Sequence, residues 1–238
     1  MDLKEAAILG SDVESHWYYQ SKVRSVELLT KHLSPRAILD VGAGSGFFSR
    51  SLLRRTSAAE AYCVDISYPP GTSDTEEKGK PVYFRTSIGP INADLVLLMD
   101  VLEHVDDDVG LLKEYIAKVP QGSTFLITVP AFKFLWSQHD EFLEHKRRYT
   151  VAQLEKVVQD AGLQVRRAGY FFGFVLPLAA SIRLLERVLP RRRQEPQSQL
   201  RSHGALTNAC LRTICRLELG LVRFNRLAGL TVYCLATK

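Results

Sequence analysis

A chain of 238 residues with 46% hydrophobic and 24% charged side chains is long enough for one full α/β core and leaves a second independent domain cramped. Its four cysteines (Cys63, Cys210, Cys215 and Cys234) form no Cys-x-x-Cys pair, which argues against a disulfide framework and fits a reducing, cytoplasmic setting. The net charge of +5 is uneven: residues 181–238 hold eleven Lys or Arg against three acids, while residues 1–180 sum to −3.

Met1, Asp2, Lys4 and Glu5 do not open a secretory leader. Residues 15–33 read as an amphipathic helix with an aromatic start, His16-Trp17-Tyr18-Tyr19. Its aromatics are expected to pack on a sheet. The alternative is a cap over a ligand cleft, with Arg24 or a Tyr hydroxyl facing it.

Residues 37–41 are a short apolar strand carrying Asp40, followed by glycines at alternate positions, Gly42, Gly44 and Gly46, and then a helical pattern through Phe47, Leu52 and Leu53. A strand, a Gly-rich turn and a helix start build a ligand site at the carboxyl edge of a sheet. The spacing is Gly-x-Gly-x-Gly, neither the dinucleotide fingerprint nor the P-loop. Asp40 suits a ligand with cationic groups better than a pyrophosphate, because like charges repel in a partly dry cleft.

Residues 59–65 form the second strand, ending on Asp65 about twenty residues after the glycines, where an acid meets ribose hydroxyls. Residues 68–80 read as a surface loop replacing a crossover helix. A third strand covers 82–85 and is followed by Thr86, Ser87 and Ile88. Residues 93–99 are apolar enough to be buried on both faces, and they lead into Asp100-Val101-Leu102-Glu103-His104-Val105. A helix over 109–119 and a fifth strand over 124–129 complete the sheet core.

Residues 136–150 have no regular period, yet they crowd His139, Asp140, His145, Arg147, Arg148 and Tyr149 where a loop would overhang the cleft. Thr150 caps a helix over 151–161 that closes at Gly162. A sixth strand covers 163–170 and the last covers 229–236. Between them, residues 171–182 are an apolar run short of the roughly twenty residues that cross a bilayer, and 194–204 are polar. Residues 205–227 then follow a helical period that puts Arg212, Arg216, Arg223 and Arg226 on one stripe. Glu218 falls on the apolar side and needs a partner: an Arg or His of the 136–150 loop, or solvent.

The LDVGAGSGFFS run and the DVLEHV run resemble the first and fourth motifs of class I S-adenosylmethionine-dependent methyltransferases, in the right order and spacing. The HKRRYT segment is similar to one that many bacterial members carry after the fifth strand. The resemblance implies an α/β, Rossmann-like, seven-stranded sheet, mostly parallel with an antiparallel last strand, and helices on both faces. It divides a single domain into a helical cap over 1–34, a cofactor-binding core over 35–170, a helical basic insertion over 171–228 and a last strand over 229–238. It implies S-adenosylmethionine as cofactor, held by Asp40, Gly42, Ala43, Gly44 and Gly46, by Asp65, Ile66 and Ser87 on the adenosyl side, and by Asp100 and Val101 near the methyl group. Members often carry an acid after the third strand where this chain has Ser87.

The expected reaction is methyl transfer to oxygen or nitrogen of a small-molecule or lipid-linked acceptor. The candidate catalytic residues are His139, His145 and Tyr149, with a histidine as base if the acceptor is a hydroxyl. No compact ligand motif points to a metal, and none is expected. The apolar run and the Arg stripe of residues 171–226 suggest an anionic membrane surface as partner and a peripheral location at the inner face of the membrane. Nucleic acid is disfavoured, since no Asn/Asp-Pro-Pro-Tyr motif follows the fourth strand. The rivals are an RNA or protein methyltransferase using the basic C-terminal region and a catalytically silent cofactor-binding scaffold.

Overall fold

The computed structural model describes residues 13, 15–188 and 204–238. Residues 194–203 of the expected polar stretch 194–204 lie outside the described residues, as do the basic residues Arg191 to Arg193 that precede it and most of the start of the cap. The elements in chain order are α1 (Trp17–Thr30), β1 (Ala37–Val41), α2 (Phe47–Leu53), β2 (Glu60–Val64), β3 (Thr75–Glu77), β4 (Lys80–Arg85) and β5 (Leu95–Met99). A 3₁₀ turn (Leu102–His104), α3 (Asp108–Lys118), β6 (Thr124–Pro130), α4 (Gln138–Phe142), α5 (Val151–Asp160), β7 (Gln164–Phe171), α6 (Leu176–Val188), α7 (Ala205–Glu218) and β8 (Thr231–Thr237) follow.

The strands form one sheet in the order β3-β4-β2-β1-β5-β6-β8-β7. β1 lies parallel between β2 and β5, and β8 inserts antiparallel between β6 and β7. The central strands are apolar on both faces because helices cover both. Along β1, Ile38 enters one core with α1, α2 and α7, while Leu39 and Val41 enter the other with α3 and α5. Chain reversal at β1 therefore leaves its carboxyl end, and that of β5 beside it, at the edge where loops can build a site.

The sheet has eight strands rather than the expected seven. Lys78 and Gly79 both have positive φ (52° and 76°), the backbone of a two-residue hairpin, and they fold the charged segment Thr75–Glu77 antiparallel onto β4. Three polar residues carry no alternating apolar signal, so this strand is invisible to periodicity.

The basic helix also differs from expectation. α7 stops at Glu218, ahead of Gly220, so Arg223 and Arg226 leave the stripe that Arg212 and Arg216 begin. Arg223 donates to the Leu28 carbonyl at 2.7 Å, and Arg226 pairs with Glu155 at 2.8 Å. Glu218 meets neither the loop nor solvent: it is buried and accepts the backbone N–H groups of Gly173 (2.6 Å) and Phe174 (3.4 Å), just ahead of α6. No helix among the described residues is long and apolar enough to cross a membrane.

Candidate functional site

β1 delivers Asp40 to the sheet edge 1% exposed, with one oxygen accepting from Ser49 Oγ at 2.5 Å and Oδ1 without a partner among the described residues. Burial pushes its pKa up to about 6, against the opposing Ser49 hydrogen bond. The chain then turns through Gly42, Gly44 and Gly46, all at positive φ (64°, 52° and 71°). At Gly42 the requirement is steric as well, since a Cβ would lie 2.6 Å from Val101 Cγ2. The N–H groups of Gly42 and Ala43 donate to the Val64 carbonyl at 2.7 and 3.2 Å, which ties the turn to β2. Asp65, one residue past β2, accepts from Gly44 N–H at 3.0 Å and Ser67 N–H at 2.9 Å. Tyr68 closes the turn by donating to the Gly44 carbonyl at 2.7 Å. Of the remaining residues expected to bind cofactor, Ile66 is 90% exposed and Ser87 is exposed, so neither belongs to the buried floor.

The end of β5 forms the second wall. Asp100 holds a left-handed backbone (φ 59°) and accepts from Thr128 Oγ1 at 3.0 Å. It forms an ion pair with Lys22, a lysine buried in α1 whose ammonium lies 5.5 Å from the Tyr18 ring centre and 5.9 Å from that of Phe48. Burial would drive Lys22 toward neutrality, but the adjacent Asp100 carboxylate outweighs it and holds the ammonium charged. Lys22 is the cation that α1 brings to Asp100. The aromatics ahead of it pack as expected: Tyr18 stacks on Phe172 with ring centres 5.1 Å apart, and Tyr19 meets Phe47 edge-on at 5.7 Å.

The third part comes from the 3₁₀ turn and the loop after β6. Glu103 is fully buried, and neither carboxylate oxygen has a partner among the described residues. Burial first, and then nearby Asp100, push its pKa well above the usual range. His104 meets His145 edge-on with ring centres 4.8 Å apart. His145 Nδ1 lies 2.9 Å from Asp140 Oδ1, and Arg148 grips the same carboxylate through Nε at 2.7 Å and Nη2 at 2.9 Å. Burial disfavours the Asp140 charge, but hydrogen bonds from His145 and Arg148 outweigh it and hold the carboxyl well below its ordinary range. Arg148 also donates to the Ala131 carbonyl at 2.9 Å, and Lys146 N–H donates to the Glu103 carbonyl at 2.7 Å, so the loop is pinned to the turn.

Of the three expected catalytic residues, the structure brings only His145 into this cluster. Tyr149 is buried and its hydroxyl is committed to Asp108 Oδ2 (2.8 Å) and the Leu102 carbonyl (3.2 Å), so it anchors the loop. His139 lies on α4, outside the group formed by Glu103, His104 and His145, whose ligand atoms fall within 4.8 Å of one another. The expectation of no metal rested on spacing along the chain, and spacing cannot reveal a cluster assembled from two segments. Sequence reasoning also missed Lys22, Glu103, Asp140 and Arg148 as site groups. A signal existed for Lys22: a lysine within the Tyr19, Val23, Val26 face of a helix is anomalous unless an acid meets it.

Residues 16–168 match the family model described as a methyltransferase domain. The chain belongs to that family. The methyltransferase is 29% identical to a ubiquinone biosynthesis O-methyltransferase of Aeromonas salmonicida, over 55% of this chain and 64% of that relative's length. A methyltransferase solved with the Trm112 methyltransferase activator of Haloferax volcanii superposes with a TM-score of 0.58 at 16% identity, covering 98% of this chain and 94% of the other. Phosphoethanolamine N-methyltransferase 2 of Haemonchus contortus, solved with S-adenosyl-L-methionine, gives 0.53 at 15% identity over 90% of this chain and 52% of its own. At these identities the structural matches establish a shared fold. The orphaned Asp40 oxygen, the Cβ-free approach at Gly42 and the strand-end Asp65 fit a cationic adenosyl ligand such as S-adenosylmethionine.

Proposed function

We propose that the methyltransferase acts on a hydroxyl group of a lipid-like acceptor presented at an anionic membrane surface. S-adenosylmethionine supplies an electrophilic methyl group on a sulfonium; the chain's own residues supply position and a water-poor wall. Asp40 and Asp65 flank the glycine turn that admits the cofactor, and Lys22 with Asp100 fixes the end of β5 beside it. A hydroxyl, unlike a neutral amine, must lose its proton to become a good nucleophile. The histidine-rich wall of His104 and His145, with His145 held in one orientation by Asp140, suits that requirement. The name of the A. salmonicida relative agrees with an oxygen acceptor.

The observation that carries the lipid reading is the apolar face of α6. Leu178, Ile182 and Leu185, spaced as one helical stripe, are 55%, 47% and 58% exposed. Such a row is unfavourable in water and favourable at a lipid interface. Arg183 of the same helix donates to the Leu135 carbonyl at 2.8 Å, which joins this face to the loop that carries His145. The excess of basic residues over 181–238 adds attraction to anionic headgroups. Vesicle co-sedimentation tests it. Anionic vesicles should pellet the protein, zwitterionic ones much less, and a Leu178→Ser, Ile182→Ser, Leu185→Ser variant should stay in the supernatant. Equal pelleting of variant and parent refutes the membrane reading.

A further inference from the structure

We propose that Glu103, His104 and His145 bind a divalent first-row transition-metal ion, and that this ion meets the acceptor hydroxyl. The second half rests on the hydroxyl reading above; the ion site stands on its own geometry. One ligand atom from each residue lies within 4.8 Å of the other two. An ion with bonds of about 2.0–2.2 Å draws three such groups together with small side-chain movements.

Glu103 is the strongest of the three observations. Its side chain is 0% exposed and both oxygens lack a hydrogen-bond partner among the described residues. A buried carboxyl left in that state is costly, and a bound ion is one of the few things that remove the cost. Edge-on packing of the two imidazoles accounts for the rings but not for the acid beside them.

The surroundings of His145 prepare it as a ligand. The ionised Asp140 can only accept a hydrogen bond, so Nδ1, 2.9 Å away, carries a ring proton and Nε2 is the nitrogen left to face an ion. Arg148 holds that carboxylate from two nitrogens, and the Lys146 N–H keeps the loop against the turn that carries Glu103 and His104. A carboxylate behind an imidazole fixes its tautomer and raises its strength as a ligand. Two imidazoles and one carboxylate favour Zn2+, Mn2+, Fe2+ or Co2+ over Mg2+ and Ca2+, which take mostly oxygen. Asp100 stays outside the set, since Lys22 neutralises it. Three protein ligands leave positions for a hydroxyl, whose acidity an ion raises; the two imidazoles then serve that proton loss by holding the ion instead of by taking the proton, which passes to water.

The test uses the full chain, stripped of metal and titrated with Zn2+ by calorimetry and with Co2+ by visible absorption, with S-adenosylhomocysteine binding measured in parallel. One ion per chain is expected. Glu103→Gln and His145→Gln should each weaken Co2+ binding at least tenfold while leaving S-adenosylhomocysteine affinity within about twofold. Asp140→Asn, which acts through His145, should weaken it by about 10- to 100-fold. If Glu103→Gln does not fold, a His104→Gln, His145→Gln double variant replaces it. Absence of stoichiometric Zn2+ and Co2+ binding, or equal affinity in parent and ligand variants, overturns the site. Ion binding without S-adenosylhomocysteine binding would sink the cofactor reading and leave the ion site standing, so the two failures are distinguishable.

Discussion

At Asp40 a carboxyl group sits almost wholly out of water, with one oxygen held by Ser49 and the other unpartnered among the described residues. Its pKa, raised by burial to about 6, lies above that of the unfolded chain. The sign follows: stability from this group is complete below the unfolded pKa and is lost as pH rises through about 6. A cationic ligand reverses the preference, because its ammonium favours the ionised acid. S-adenosylhomocysteine affinity should therefore rise by about tenfold per pH unit below pH 6 and level off above it. Calorimetry across that range checks this, and Asp40→Asn should bind more weakly with the pH dependence of this group removed. At the same scale, Gly42 was legible from spacing, but its reason, the Val101 side chain 2.6 Å from a would-be Cβ, was not.

Among the elements, α6 depends on a residue far along the chain. Glu218, buried at the end of α7, accepts the N–H groups of Gly173 and Phe174 just ahead of α6. Glu218→Ala should cost about 2 kcal/mol, the range for losing a buried charged acceptor. For a chain of this size that lowers the unfolding temperature by about 4–8 °C. Glu218→Gln, which keeps one carbonyl oxygen for Gly173, should recover most of the loss. Thermal unfolding followed by circular dichroism measures both. The acid on the apolar side of a helix was visible in the sequence, whereas its partner was a pair of backbone groups that no pattern announces. α7 itself read too long, because an arginine period continues past Gly220 although the helix does not.

For the molecule as a whole, the loops of one sheet carry the site, and α1 adds Lys22. The glycine turn follows β1, Asp65 follows β2, Asp100 follows β5, and the Asp140–His145 loop follows β6. Ligand that binds only this assembled edge must stabilise the entire fold. With S-adenosylhomocysteine at 100 times its dissociation constant the gain is about 2.7 kcal/mol. The unfolding temperature should rise by about 5–10 °C, and NAD should leave it unmoved. A shift with NAD and none with S-adenosylhomocysteine would contradict the cofactor assignment.

The sequence alone determined the α/β class, the strand, turn and helix succession around Gly42, Gly44 and Gly46, the acids Asp40 and Asp65 at the strand ends, and the family. These depend on local chemistry: apolar runs of strand length, glycines where φ is positive, and carboxylates at constant offsets. The tertiary structure decided which cation faces Asp100, what Glu218 holds, that Tyr149 is an anchor, and that Glu103 and His104 converge with His145 from forty residues away. Those contacts join segments distant in the chain, so they are set by how elements pack, and no period or spacing along the sequence encodes them.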